Sequence, residues 1–278
     1  MLTIVNASCT CLSGIDSSDE KWEFHVRAKR NDSGMTTYPL TLAVTETLEI
    51  DVIQTLYVPD TLQKLSIIGV GDMPQSLEFI PEYRNQPSHE LPIGQTLDAS
   101  PSLTSIELVN IDMFTMTTTV AGFVPPSTTS LTLRNCNITS FGFEFTEGMN
   151  NLTQLDLSSN NMDSAYAGTE NQLYADQCSL SLCGLEEYNL SFNNLTVFPT
   201  TPFNVETLKK FYIQGNAISN FTVNTSIFER IITMMDFKAN LVGDAVECDS
   251  GDWKSAYGAK FCVSDTISSP PPGTVGTV

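Results

Sequence analysis

The chain has little positive charge, few histidines and no long apolar run. Only 13 of its 278 residues are Lys or Arg, against 32 Asp or Glu, for a formal net charge of −19. A field of that sign repels phosphate backbones and anionic headgroups, so nucleic acid is excluded as an expected partner. No stretch approaches the roughly 18 consecutive apolar residues of a membrane-spanning helix, so no membrane contact is expected from this chain itself. The two histidines, His25 and His89, lie far from any cysteine. Neither Cys9-x-Cys11 nor Cys178-x4-Cys183 forms part of a paired C-x-x-C set, so a zinc site is not expected. Asp16-x-x-Asp19-Glu20 lacks the spacing of a calcium loop. A G-x-S-x-G elbow, a Gly-rich phosphate loop and the V-A-I-K, H-R-D and D-F-G stretches are all missing. At this acidity, pairs of carboxylates carry no information about glycoside hydrolysis. The sequence therefore points to no catalysis, no metal and no cofactor.

What the chain does have is repetition. Leu152, Leu155, Leu157, Asn160 and Met162 set the pattern L-x-x-L-x-L-x-x-N. It returns at Leu185, Tyr188, Leu190, Asn193 and Leu195, then at Leu208, Phe211, Ile213, Asn216 and Ile218. The sequence pattern places a further copy at Ile232, Met235, Phe237, Asn240 and Val242. Within each copy the L-x-L alternation turns two apolar side chains to one side of a short strand. One copy cannot bury them alone. Stacked copies bury them in a continuous core, at roughly 1.5–3 kcal/mol per fully buried side chain. The Asn meets a different need, because the turn after each strand leaves backbone N–H and C=O groups inside the stack. An amide both donates and accepts, so a column of Asn can pair these groups above and below.

Weaker copies run towards the N-terminus: Thr128, Leu131, Leu133, Cys136 and Ile138; Leu103, Ile106, Leu108, Ile111 and Met113; and Leu62, Leu65, Ile67 and Val70. Thr37, Leu40, Leu42 and Thr45 offer an earlier strand. Starts at 103, 128, 152, 185, 208 and 232 are spaced by 25, 24, 33, 23 and 24 residues. The long interval holds an insertion around Asn171–Cys183. The 41-residue gap from 62 to 103 holds the Pro-rich stretch Pro74 to Pro92.

These motifs resemble the leucine-rich repeat family, in which about 20–29 residues form each unit. The resemblance implies a curved α/β-type repeat solenoid, with a parallel β-sheet on its concave face and an irregular or short-helical convex side. It also makes Cys136 a familiar substitute for the ladder Asn, hence a free buried thiol. The implied organisation is an N-terminal cap region over 1–36 and repeats over 37–247, with the insertion near 164–184. A disulfide-closed C-terminal cap over 248–262 and a disordered Pro/Gly/Ser linker over 263–278 (it holds SSPPPGTVGTV) follow.

Seven cysteines and eight N-x-S/T sequons bear on compartment. The sequons are Asn6, Asn31, Asn137, Asn151, Asn189, Asn194, Asn220 and Asn224, out of 19 asparagines. The sequence reading takes all eight as glycosylation sites. Extracellular members of the family carry a disulfide cap where Cys248 and Cys262 stand, and Trp253 and Tyr257 between them are expected to lie over the exposed core edge. Cys178 and Cys183 are expected to pair within the insertion, while the connectivity of Cys9 and Cys11 stays open. The alternative is a cytosolic chain whose seven thiols are all reduced.

The repeats, the C-D-S-G-D-W…C cap and the Pro-rich end together look like the extracellular part of leucine-rich-repeat receptor-like protein kinases. Met1–Val5 is too short for a signal peptide, so a truncated gene product or isolated ectodomain is expected. In that family a membrane helix would follow, and the ligand would be a protein or peptide. The other reading is an intracellular scaffold or regulatory subunit working through protein–protein contacts. In a repeat arc the x residues flanking L-x-L project from the concave face. They form a central column of Ser66, Glu107, Thr132, Asp156, Asn189, Tyr212 and Asp236. Lys64, Ser105, Ser130, Gln154, Glu187, Lys210 and Met234 flank it on one side. Ile68, Val109, Arg134, Ser158, Ser191, Gln214 and Lys238 flank it on the other. Binding hot spots favour Tyr, Trp and Arg, which singles out Arg134 and Tyr212. The expected ligand-binding set is Arg134, Asp156, Lys210, Tyr212, Gln214, Asp236 and Lys238.

Overall fold

The computed structural model describes residues 21–26, 47–48, 52–53, 61–79, 102–114, 117, 124–140, 149–165, 182–219, 221–240, 248 and 251–265. The early strand expected over Thr37–Thr45 lies outside them. So do Cys9, Cys11, Cys178, Asn6, Asn31, Asn220 and Val242.

Alternation dictates the main sheet. In β4 (Lys64–Gly69), β6 (Ser105–Val109), β7 (Ser130–Arg134), β8 (Gln154–Asp156), β9 (Glu187–Asn189) and β10 (Lys210–Tyr212), the leucine-type residues turn into the core and the x residues lie on the other face, where Ser66 and Val109 are covered by their neighbours. With β12 (Asp236–Lys238), β1 (Lys21–Val26) and β2 (Thr47–Leu48) they form a nine-stranded sheet in the order β12-β10-β9-β8-β7-β6-β4-β1-β2, and every pairing in it is parallel. The register stacks like on like: Leu65, Ile106, Leu131, Leu155, Tyr188 and Phe211 follow one another across six strands. All are essentially buried, as are Leu157, Leu190 and Ile213 one step along. This is a leucine-rich-repeat solenoid with one shared core. β3 (Val52–Ile53) and β5 (Glu78–Phe79) pair in parallel as a separate two-stranded sheet.

The amide column is present at three levels. Asn160 Oδ1 accepts the N–H groups of Cys136 and Ile138 at 2.8 and 3.1 Å, and its Nδ2 donates to the carbonyls of Leu133 and Leu157 at 2.7 and 2.9 Å. Asn193 bridges Met162 N–H to the Leu157 and Leu190 carbonyls, and Asn216 bridges Leu195 N–H to those of Leu190 and Ile213. Each amide thus ties its own turn to the one before. Cys136 occupies the fourth level as a free buried thiol. Its Sγ donates to the Leu108 and Arg134 carbonyls, at 3.4 and 3.3 Å, but sulfur is a weak acceptor. The Met113 N–H, which an Asn Oδ1 would take at that level, instead reaches the backbone carbonyl of Cys136 at 2.9 Å.

Where the inner column ends, outer ones begin. Asn161 Nδ2 donates to Asn137 Oδ1 at 2.8 Å, and Asn137 Nδ2 to Asp112 Oδ1 at 3.3 Å. Asn135 Nδ2 donates to Asn110 Oδ1 at 2.7 Å, and Asn110 Nδ2 to the Gly69 and Gly71 carbonyls. Three of these residues, Asn110, Asn135 and Asn137, have φ of 57, 52 and 56°, a left-handed conformation that Asn adopts more readily than most residues.

Three features differ from the sequence expectations. First, β1 falls in the stretch read as a cap, yet it pairs with β4 along its whole length, Trp22 against Leu65 and Phe24 against Ile67. Trp22, Phe24 and Val26 alternate as strand residues do, but without leucine they do not match the repeat. Second, the last repeat is shifted by two residues. Phe237 lies against Phe211, and Asp236 and Lys238 lie against Lys210 and Tyr212. Met234, 7% exposed, is therefore the counterpart of Leu208, whereas Ile232 and Met235 are 50 and 72% exposed. Asn240 does not extend the inner column. Its Oδ1 accepts the Gly215 N–H at 2.6 Å.

Third, the cap closes on a different ring. β13 (Asp252–Ala256) and β14 (Ala259–Val263) form an antiparallel hairpin whose inner strand also pairs with β11 (Thr222–Val223). Cys248 and Cys262 are bonded, with Cα atoms 5.4 Å apart. Helix α1 (Thr225–Ile232) starts at Asn224, whose Oδ1 accepts the Ile227 N–H, and buries Phe228 and Ile231. The residue that plugs the core edge is Phe261, fully buried among Phe198, Phe221, Phe228 and Phe237 at 5.5–6.1 Å. Trp253 is 44% exposed. Tyr257 reaches the edge partly, packing on Phe237 while its hydroxyl donates to the Met234 carbonyl.

Candidate interaction surface on the concave sheet

The strand register arranges the outward residues in columns. The central one runs Glu23, Ser66, Glu107, Thr132, Asp156, Asn189, Tyr212, Lys238. Lys238 thus takes the central place that the sequence pattern gave to Asp236, and Asp236 takes the flanking place given to Met234. This correction brings the aromatic ring and a cation side by side. Lys238 Nζ lies 4.9 Å from the Tyr212 ring centroid and 3.7 Å from Asp236 Oδ2. The Tyr212 hydroxyl donates to the same carboxylate oxygen at 3.0 Å. Lys210 Nζ donates to Glu187 Oε2 at 2.9 Å.

Electrostatics follow from this geometry. Burial pushes the Tyr212 phenol up to about 12, helped by its hydrogen bond to Asp236 and the nearby carboxylates. The Glu187 hydrogen bond raises the Lys210 ammonium above the ordinary lysine value. Both groups keep their protons at neutral pH. Gln214, beside Tyr212 on the flank, holds a buried Oε1 with no hydrogen-bond partner.

The rest of the expected set is placed differently. Asp156 turns partly to a structural task, accepting the Ser158 N–H at 2.8 Å. Arg134 is exposed on β7, three strands from β10. At about 4.8 Å per strand, and two residues further along, it stands roughly 16 Å from Tyr212 and does not join the cluster. Despite the acidic chain, the concave sheet is balanced. Lys21, Lys64, Arg134, Lys210 and Lys238 stand against Glu23, Glu107, Asp156, Glu187 and Asp236. Near the other end, Glu23 accepts from Lys21 and His25, both at 2.7 Å, which holds its carboxyl below the ordinary range. Among the described residues, no group of three or more His, Cys, Asp or Glu could hold a metal ion. No described helix is long and apolar enough to cross a membrane.

Five sequons fall on described residues. Asn189 stands in the central column, its Oδ1 accepting from the Ser191 N–H and hydroxyl. Asn137 is a rung of the outer ladder, Asn151 donates to the Pro126 carbonyl at 2.7 Å, and Asn224 caps α1. Asn194 is exposed. Cys183 is disulfide-bonded, but Cys178, its expected partner, lies outside the described residues.

One exposed aromatic escaped the sequence reading. Phe192 follows the concave strand of its repeat and is 58% exposed with φ of 56°. Its counterparts are Asn110, Asn135, Ser159 and Gly215, all with positive φ. A bulky side chain in this conformation costs about 1–3 kcal/mol. Phe192 fits because Gly215 leaves room: a Cβ on Gly215 would meet the Phe192 ring at 2.3 Å.

No family model matches the chain, and no curated protein matches it. Among solved structures it is similar to a leucine-rich-repeat protein of Leptospira interrogans. The two are 19% identical over 66% of this chain and 49% of the other, with a TM-score of 0.34. The chain therefore spans about half the length of that protein. The solenoid assignment itself stands on the parallel register and the amide column.

Proposed function

We propose that this chain is a non-catalytic, extracellular recognition module that binds a protein or peptide ligand, as the sensing part of a receptor. The observation that carries the reading is the cluster on the last concave strands, where Tyr212 lies under Lys238 and beside Asp236 and Lys210. It is the one place on the described sheet where an aromatic ring and a cation share the central column. Aromatic anchors ringed by polar groups are where binding energy concentrates in protein interfaces. The balanced charge of the sheet suits a folded protein or peptide rather than a polyanion.

Support for an extracellular setting comes from the bonded Cys248–Cys262 pair, the bonded Cys183 and the surface sequons. Catalysis is not proposed: the serine that meets a carboxylate on this face, Ser66 with Glu107 at 2.9 Å, is itself buried. The test is site-directed photo-crosslinking on the surface of intact cells. A photoreactive residue at Tyr212 is expected to trap a discrete protein partner that the same residue at Ser66 does not. Equal trapping at both positions, or trapping only in permeabilised cells, overturns the reading.

A further inference from the structure

Phe192 is awkward as a core residue and awkward as a surface residue. It is mostly exposed, and it sits in a left-handed conformation that phenylalanine seldom adopts. The next four residues alternate strictly. Asn193 is buried in the amide column, Asn194 is exposed, Leu195 is buried and Thr196 is exposed. Phe192, Asn194 and Thr196 are thus the exposed members of this short segment, an aromatic ring, a sequon asparagine and its hydroxyl.

We infer that Phe192 is the platform for the first sugar of an N-linked glycan on Asn194. The inference rests on the extracellular reading above. In the modification, Asn194 Nδ2 bonds to C1 of an N-acetylglucosamine. The bond from C1 to a lipid-linked diphosphate breaks, the diphosphate leaves with the electron pair, and one amide proton passes to base. The remaining N–H is kept. The sugar's less polar face carries axial C–H groups of partial positive charge, which suit the electron-rich face of a ring. Covering Phe192 also removes exposed apolar surface from water.

The other described sequons lack this provision. Two residues before Asn137, Asn151, Asn189 and Asn224 stand Asn135, Met149, Glu187 and Thr222, none of them aromatic, and Met149 is buried. Asn137 and Asn151 commit their Nδ2 groups to protein acceptors, and the Oδ1 of Asn189 and of Asn224 is taken by local donors. At Asn194 the backbone N–H is anchored to the Met162 carbonyl at 2.8 Å. Among the described residues its side-chain amide meets no partner.

The full chain, directed into a eukaryotic secretory pathway, tests this. Glycopeptide mass spectrometry is expected to show Asn194 occupied in nearly every molecule. After enzymatic trimming to single N-acetylglucosamines, NMR is expected to show ring-current upfield shifts on the Asn194 sugar, lost in Phe192→Leu. Complete deglycosylation is expected to lower the melting temperature by a few degrees in the native sequence and by clearly less in Phe192→Leu. Phe192→Asn, which suits the left-handed backbone, serves as the variant that keeps folding intact. It is expected to erase the glycan-dependent part of the melting temperature. An occupied Asn194 with no ring-current shift overturns the platform and leaves the extracellular reading standing. An unoccupied Asn194 beside occupied neighbours does the same. If every sequon is bare, the extracellular reading fails and this inference goes with it.

Discussion

The side-chain oxygen of Asn160 accepts the backbone N–H of Cys136 at 2.8 Å, so the amide of one repeat completes the turn of the repeat before it. Cys136 returns the service only weakly: its sulfur takes the Ile111 N–H, and sulfur is a poor acceptor. Asn160→Ala strands the N–H groups of Cys136 and Ile138 and the Leu133 carbonyl inside the solenoid, while the Leu157 carbonyl keeps Asn193. It is expected to cost about 2–4 kcal/mol. Cys136→Ala removes only the weak contacts of a thiol and is expected to cost clearly less. Urea unfolding of the two variants side by side checks the order, and equal costs would count against the column.

Burial pushes the Cys136 thiol up to about 12, and the thiolate is the reactive form. The folded, oxidised protein is therefore expected to resist a thiol reagent at pH 8. Denaturation should release this thiol to react at the ordinary rate. Fast labelling of Cys136 in folded material would place the residue outside the core.

Leu157→Asp puts an unpaired charge into the core shared by neighbouring repeats. Several repeats are expected to unfold together, seen as a broad loss of amide protection over the central strands. A loss confined to residues next to 157 would mean that the repeats are not coupled.

Gly215→Ala meets two obstacles, a φ of 78° and the Phe192 ring 2.3 Å from the new carbon. The variant is expected to lose more than about 1 kcal/mol. Adding Phe192→Asn should recover part of that loss. Thermal melts of the single and double variants read the coupling.

Cys262→Ser opens a link of 14 residues' separation and is expected to cost about 3 kcal/mol on the chain-entropy model. Its melting temperature should fall below that of the oxidised native protein but stay above that of the reduced one, because reduction also opens the bond at Cys183.

The Tyr212 phenol, at about 12, holds its proton more tightly than a phenol in the unfolded chain. Its contribution to stability is therefore complete below about pH 10 and fades as pH rises towards 12. Burial raises Tyr188 as well, so ultraviolet titration should show Tyr212 as a late-ionising tyrosine beside it, and the Tyr212 share should disappear in Tyr212→Phe. Asp236→Asn should bring that ionisation to lower pH.

The solenoid and six of its strands were legible because leucine, isoleucine and aromatic residues recur at a fixed period, and burial demands that period. The last repeat was misread because Ile232 and Met235 imitate L-x-x-L. Ile232 ends helix α1, and Met235 faces solvent. Asn240 imitated a ladder residue while serving Gly215. Identity alone does not distinguish an inward methionine from an outward one at adjacent positions, and the resulting two-residue shift of register moved Lys238 next to Tyr212. Phe261 and Phe192 went unseen for a related reason. Their roles come from what surrounds them in space, four rings in one instance and a glycine one repeat away in the other.

The transfer of turn pairing from inner amides to surface ones at Cys136 has a mechanical consequence. Surface amides compete with water for the same partners, whereas those below Asn160 do not. A chain pulled by its ends should therefore yield first on the N-terminal side of β8, as the weak seam of a spring. The coils that carry Tyr212 and Phe192 would hold their curvature while the others stretch.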